Sequence, residues 1–210
     1  MKRSLEDHAA RFDQAADSYD EDGSPEYRAA ADLVIEHAAP EPDDVVLDLG
    51  TGTGAIALAL AGEAGEVIGR DISEGMLEQA REKASERGID SVTFGEGRFR
   101  EPNVSGDRSV DMVVSNFAMH HLDDDAKRGT IETIASLEPC RFVLGDVMLF
   151  GEADPEEPFY SPEVDDPATV GVLADALTEA GFALTAVERV HEQVGVLVAE
   201  RSETPEAESA

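Results

Sequence analysis

Residues 45–61 read VVLDLGTGTGAIALALA. An aliphatic run carries one carboxylate, Asp48, then breaks into Gly50, Gly52 and Gly54 before a small apolar stretch resumes. A short apolar run closed by glycines predicts a buried strand followed by a loop. Glycines there let a ligand approach the backbone closely and permit positive φ. The helix that follows offers free N–H groups at its N-terminus.

Such a loop suits NAD, FAD or S-adenosylmethionine. GTGTGA even satisfies the dinucleotide pattern G-x-G-x-x-G/A, with Ala55 in the last place. Asp48 discriminates between these ligands. A carboxylate just before the first glycine would repel a pyrophosphate, and it suits a ligand that carries an ammonium group. The alternative, a solvated strand-end residue, fits VVLDLG poorly, because a carboxylate is costly to bury without a partner. Asp71, closing the next strand in VIGRDIS, can accept from both ribose hydroxyls, a feature shared with NAD sites.

Outward from the loop the chain alternates. Strands are predicted at 44–49, 66–71, 91–94, 109–115 and 140–149. Helices are predicted at 26–39, 54–61, 73–87, 123–137 and 168–180, after a short helical or irregular arm at 4–20. SEGMLEQAREKASERG is the clearest helix, with Ser73 as N-cap and Gly88 as C-cap. Alternation of this kind predicts an α/β fold: a doubly wound, mostly parallel sheet with helices on both faces. FALTAVERVHEQ and VGVLVAERS at the end are joined too tightly for anything but an antiparallel pair. One domain is expected over 1–202, with an N-terminal cap arm at 1–25, a proline-rich loop at 151–167 that could cover the site, and a disordered acidic tail at 203–210.

The chain has 210 residues, 41% of them apolar, with 47 Asp plus Glu against 16 Lys plus Arg, a net charge of −31. Self-repulsion of that size opposes compaction unless salt screens it. Acidity with few lysines points to a salt-adapted, halophilic cytoplasm. No basic run exists to neutralise phosphates, so no nucleic-acid partner is expected. No run reaches the roughly 18 apolar residues of a membrane span, and MKRSLEDHAARF has no signal-peptide core. A soluble cytoplasmic protein is expected, with a homodimer left open. The single cysteine, Cys140, excludes an internal disulfide and any multi-cysteine metal site, and no metal is expected.

VLDLGTGTG followed by GRDISEGMLEQA resembles the class I S-adenosylmethionine-dependent methyltransferases, and the resemblance spans nearly the whole chain. FDQAADSYD resembles that family's cap arm, DMVVSNFAMHHL its fourth strand and loop, and AGFALTAVERVHEQVGVLVAER its terminal helix and hairpin. HHLDDDAKR and GDVMLF look most like the small YrrT-like members. The family implies a Rossmann-like seven-stranded sheet with the last strand antiparallel, and S-adenosyl-L-methionine as cofactor. It implies Tyr19 closing over the cofactor, and Gly50, Thr51, Gly52 and Gly54 packing on its methionine part. Asp48 would face the ammonium, Asp71 the ribose, and Ile72 and Met76 the adenine. Phe99 and Ser115 complete the expected contacts. Where the family usually places an acidic residue against the adenine amino group, FGEGRFR places Arg98, which has only donors. Glu96 or a backbone carbonyl is then expected to accept instead.

Methyl transfer from a sulfonium needs mainly alignment of nucleophile, methyl and sulfur. His120 and His121 follow the fourth strand and are candidate bases, each with bracing of the loop as the other reading. Asp146, near the carboxyl end of the fifth strand, is expected to orient substrate. His8, His37 and His191 look peripheral. With no added domain for gripping a macromolecule, a small-molecule methyl acceptor is expected. The competing readings are a cofactor-binding protein without transfer activity and an NAD-dependent oxidoreductase.

Overall fold

The computed structural model of the protein describes residues 5–16, 18–20, 23–105, 108–151 and 158–201. The tail at 203–210 and residues 152–157 of the proline-rich loop lie outside the described residues. Two helices come first, α1 (Leu5–Ala15) and α2 (Pro25–Ala38). Ser24 caps α2 by accepting from Tyr27 N–H at 3.1 Å, with Pro25 in the first turn, where its missing donor does no harm. Ala39 leaves the helix in the left-handed region, just before Pro40.

Strand and helix then alternate: β1 (Val45–Leu49), α3 (Ala55–Leu60), β2 (Glu66–Asp71), α4 (Glu74–Arg87), β3 (Val92–Glu96) and β4 (Met112–Asn116). A 3-10 turn at Met119–His121, α5 (Asp124–Ser136), β5 (Arg141–Val147), α6 (Val170–Glu179), β6 (Phe182–His191) and β7 (Val194–Arg201) complete the chain. The expected caps of α4 are present. Ser73 accepts from Met76 N–H, and Gly88 takes the left-handed conformation.

The seven strands form one sheet in the order β3-β2-β1-β4-β5-β7-β6. β7 pairs antiparallel with both neighbours, and the pairs among β1 to β5 are parallel. This is the expected seven-stranded Rossmann-like arrangement. Both faces are covered, so β1 and β4 are almost wholly buried rather than alternating. Successive residues face opposite layers. Leu47, Val113, Phe142 and Leu197 pack with α5 and α6, while Val46, Val114, Val143 and Val198 pack with α2 and α3.

Strand boundaries differ from expectation by one to three residues, β3 running on to Glu96. β4 begins at Met112, not 109, and just before it the Asp111 carboxylate accepts from Val45 N–H at 2.9 Å. β5 ends at Val147, not 149. Met148 N–H turns to the Gln193 carbonyl, and Leu149 pairs with Thr169 as the chain leaves the sheet. Strand order reverses between β1 and β4, and the crevice at such a switch point is where open α/β sheets bind ligands.

Candidate functional site

A cavity of about 510 Å³ opens at this switch point. Its floor is the carboxyl ends of β1, β2 and β4, with Asp48, Asp71 and Asn116 at three strand ends. Gly50, Thr51 and Gly52 form one wall, Ile72 and Met76 another, and Arg98 to Glu101 a third. The roof comes from α1 and the turn after it, through His8, Phe12 and Tyr19.

Gly50 is fixed by sterics as well as by φ, which is +72°. A Cβ there would stand 2.5 Å from the Ala118 Cβ, so a side chain would force apart the loops after β1 and β4. Gly54 does not reach the cavity. It is the N-cap residue of α3, against Phe94 and Ala80.

Asp48 is 1% exposed, and its one side-chain partner among the described residues is Thr51, whose hydroxyl donates to Oδ2 at 2.6 Å. Burial pushes the carboxyl up to about 7, with the Thr51 hydroxyl and the Ala57 N–H offsetting part of the effect. Asp71 is better supplied. Gly52 N–H donates to Oδ2 and Ser73 N–H to Oδ1, each at 2.9 Å. Burial still raises its carboxyl, since these N–H groups recover only part of the lost hydration. The Ile72 N–H also engages this carboxylate, which keeps at least one lone pair for a ligand.

The N-terminal arm is held across the cavity by two carboxylates. Asp13 Oδ1 accepts from Ser73 Oγ at 2.6 Å and from Gly75 N–H at 3.0 Å, at the start of α4. Asp20 accepts from Thr53 Oγ1 at 2.6 Å and pairs with the Lys83 ammonium. Between these anchors the Tyr19 hydroxyl is raised, first by burial and then by the Asp71 charge.

The histidine pair divides. His121 lines the cavity, whereas His120 stands behind it, 7% exposed. Asp146 is 2% exposed and spent on His120: it accepts from the His120 backbone N–H at 3.0 Å and contacts Nδ1 at 2.5 Å. It also accepts from Val147 N–H at 2.8 Å. The reading of Asp146 as a substrate-orienting group is therefore corrected, since a side chain so bound and off the cavity wall positions the loop instead. His121 Nδ1 lies 2.7 Å from Asp165 Oδ1, and Asp165 Oδ2 accepts from Ser161 N–H at 2.8 Å. Burial works against the Asp165 charge, but these bonds hold its carboxyl below the usual range.

Other expectations change too. Ser115 is wholly buried and donates to the Leu49 carbonyl at 2.7 Å, bracing β1 against β4 rather than meeting the cavity. Glu96 is exposed and off the wall, and only its backbone carbonyl is engaged, by Asn103 at 2.9 Å. His8, read as peripheral, is buried on the cavity roof with its ring 5.2 Å from that of His121. Arg70 is half-buried and donates to the Gly69 and Asn103 carbonyls.

Sequence reasoning missed Tyr27, Asn116, Phe117 and Asp165. Asn116 is 7% exposed, and neither amide atom has a hydrogen bond of normal geometry, although the Tyr27 hydroxyl faces it. Room for this amide comes from Gly145, where a Cβ would stand 2.4 Å from Asn116 Oδ1. Phe117 sits at φ +53°, a conformation seldom used outside glycine and often found at functional sites. Its ring packs edge-on against Tyr27, His120 and Phe159. Asn116 directly after a buried strand was a usable signal; Asp165 had none, since only the folded loop brings it to His121.

Residues 46–139 match the methyltransferase domain family. An uncharacterized methyltransferase of Geobacillus sp. strain WCH70 is 31% identical over 151 residues, covering 70% of this chain and 65% of its own length. A release factor glutamine methyltransferase of Aliivibrio fischeri is 38% identical over 94 residues, covering 44% of this chain and 32% of its own. The chain thus spans less than two thirds of either relative. The solved complex of DhpI with SAH superposes with a TM-score of 0.73 over 94% of this chain and 97% of that one, at 22% identity, a likeness of fold. No helix among the described residues is long and apolar enough to cross a membrane.

Proposed function

We propose that this chain, whose residues 46–139 match the methyltransferase domain family, is a class I S-adenosylmethionine-dependent methyltransferase that binds S-adenosyl-L-methionine at the switch-point cavity and transfers the methyl group to a small-molecule acceptor. The observation that carries this reading is Asp48, a buried carboxylate at the cavity floor with one side-chain partner among the described residues. Such a group favours a cationic ligand, and the ammonium of the cofactor supplies the charge that burial withholds. Asp71 takes the ribose hydroxyls through its remaining acceptor capacity. Ile72 and Met76 take the adenine. Tyr19 closes from the arm.

A small acceptor is supported by the roof. His8, Phe12 and Tyr19 cover the cavity, and Asp13 and Asp20 anchor the arm on either side of Tyr19. The cavity lies within the ~300–1,000 Å³ usual for small ligands. The chain's role in transfer is then alignment in a site sheltered from water. Should the acceptor arrive protonated, His121 is the imidazole on the wall able to take the proton, with Asp165 orienting the ring.

Calorimetry with S-adenosylhomocysteine tests the binding step, and an NADH titration under the same conditions tests the oxidoreductase alternative. Binding of NADH but not of S-adenosylhomocysteine sinks the proposal. Labelled-methyl transfer to fractionated metabolite pools in molar potassium chloride then separates an enzyme from a cofactor-binding protein without turnover.

A further inference from the structure

We infer that His120, His121 and Asp165 form a binding site for one divalent transition-metal ion. One ligand atom from each lies within 4.8 Å of those of the other two. The two imidazole centroids are 4.0 Å apart, so the rings are neighbours, His121 on the cavity wall and His120 behind it.

The hydrogen bonds favour ligation. An ionised carboxylate can only accept. His120 Nδ1 meets Asp146 Oδ1, so its neutral ring donates through Nδ1 and keeps its lone pair on Nε2, whereas His121 Nδ1 already faces Asp165 Oδ1 and the two become neighbouring ligand atoms when the ion takes the place of the shared proton. The carboxylate behind His120 is the arrangement that orients metal-bound histidines and raises their basicity. Asp146 is buried, with both oxygens engaged on this loop, so it holds His120 rather than competing for the ion.

Donor type narrows the metal. Two imidazoles and a carboxylate suit zinc, cobalt or nickel, whereas magnesium prefers an all-oxygen shell. Ligand bonds of about 2.0–2.2 Å require the three atoms to draw together by roughly an ångström. Asp165 is the side chain placed to supply that movement, because it lies on the loop between β5 and α6 rather than on the sheet. The chain's net charge of −31 favours any cation. Three protein ligands leave a coordination position open, and His121 places it beside the cavity. On the methyl-transfer reading that position takes an acceptor oxygen or nitrogen, and this last step alone rests on that reading.

The test uses the full chain, free of any affinity tag and stripped with chelator, in molar potassium chloride without cofactor or acceptor. Zinc chloride calorimetry should give one ion per chain, and cobalt should give a visible absorption band of low-symmetry coordination. Asp165→Asn and His121→Gln should each weaken zinc by about tenfold or more, and His37→Gln should leave it unchanged. No stoichiometric uptake, uptake unchanged in both site variants, or magnesium bound as tightly as zinc overturns the inference. Should the site variants fail to fold, histidine modification of the native protein decides. Zinc should protect His120 and His121 from diethyl pyrocarbonate but not His37, and equal modification with and without zinc overturns it. Loss of methyl transfer alone bears on neither outcome.

Discussion

Thr51 Oγ1 donates to Asp48 Oδ2 at 2.6 Å, and among the described residues this hydroxyl is the one side chain supporting a carboxylate that is 1% exposed. Both ends of the pair line the ligand cavity. The result is a carboxyl held up to about 7, mainly by burial. A cation arriving from the cavity would draw it back down.

Cofactor affinity should therefore depend on pH. The empty site holds a proton below pH 7 that the ammonium of the ligand must displace. S-adenosylhomocysteine should bind more tightly as pH rises, by up to about tenfold per unit below pH 7, and level off above it. Calorimetry in buffers of different ionisation enthalpy should show a proton released on binding near pH 6. Asp48→Asn should abolish the pH slope and weaken binding. The sign for folding is opposite. A carboxyl raised above its unfolded value destabilises the empty fold as pH rises from about 4 through 7. Asp48→Asn without ligand should thus melt higher than the native chain at pH 8, and a lower melting point there would contradict the account.

Asp71 serves loop and ligand together. Asp71→Ala should weaken S-adenosylhomocysteine by roughly 1.5–3 kcal/mol, the range for hydrogen bonds to a charged group. It also releases the Gly52 and Ser73 N–H groups, so faster hydrogen exchange at these amides should accompany the loss. Undiminished binding would remove Asp71 from the site.

Why the cofactor half was legible and the other half was not has a physical answer. Asp48, Gly50 and Asp71 announce themselves locally, because a carboxylate at the end of an apolar strand and a glycine run are each unusual without a ligand. Strand alternation then places them together at one sheet edge. Ser115 misled, because a polar residue within an apolar strand can satisfy itself on a neighbouring strand, as it does on Leu49. Asp146 misled similarly: the strand end was right, but the carboxylate turned to His120. Asp165 was invisible, since it meets His121 only through a loop whose path no periodicity encodes.

Asp146 should matter to folding more than to cofactor binding. It accepts from two backbone N–H groups and contacts His120 Nδ1 while 2% exposed. Removing it leaves buried donors without a partner, each costing about 1–3 kcal/mol. Asp146→Ala should lower stability by roughly 2–5 kcal/mol in denaturant titrations, with S-adenosylhomocysteine affinity changed far less. A stable variant with lost turnover would instead return Asp146 to substrate.

Salt should stabilise the fold. With 47 acidic residues against 16 Lys plus Arg, the carboxylates outnumber the cations that could pair with them by 31. Raising potassium chloride toward molar concentration shortens the screening length to about 3 Å and removes most of that repulsion. The melting temperature should climb over this range. A flat or falling curve would show that the acidity is not a salt adaptation.

Arg98 lies on the cavity wall where an acceptor for the adenine amino group is expected, and it can only donate. Its backbone is fixed by a two-way bridge with Glu101, in which Arg98 N–H donates to the Glu101 carbonyl at 2.9 Å and Glu101 N–H returns the bond at 3.0 Å. A substitution there changes the side chain without moving the strand end. Glu96 lies exposed and off the wall, so it is poorly placed to take the role. Arg98→Asp should therefore tighten S-adenosylhomocysteine by roughly 1 kcal/mol, the net value of one hydrogen bond, while Glu96→Gln leaves affinity unchanged. An inosine analogue, lacking the amino group, should bind the native chain almost as well as the adenine form and the Arg98→Asp chain distinctly worse. Weaker binding in Arg98→Asp would mean that the guanidinium already contributes, by stacking on the base. Weaker binding in Glu96→Gln would mean that the loop moves on binding to bring Glu96 onto the adenine edge.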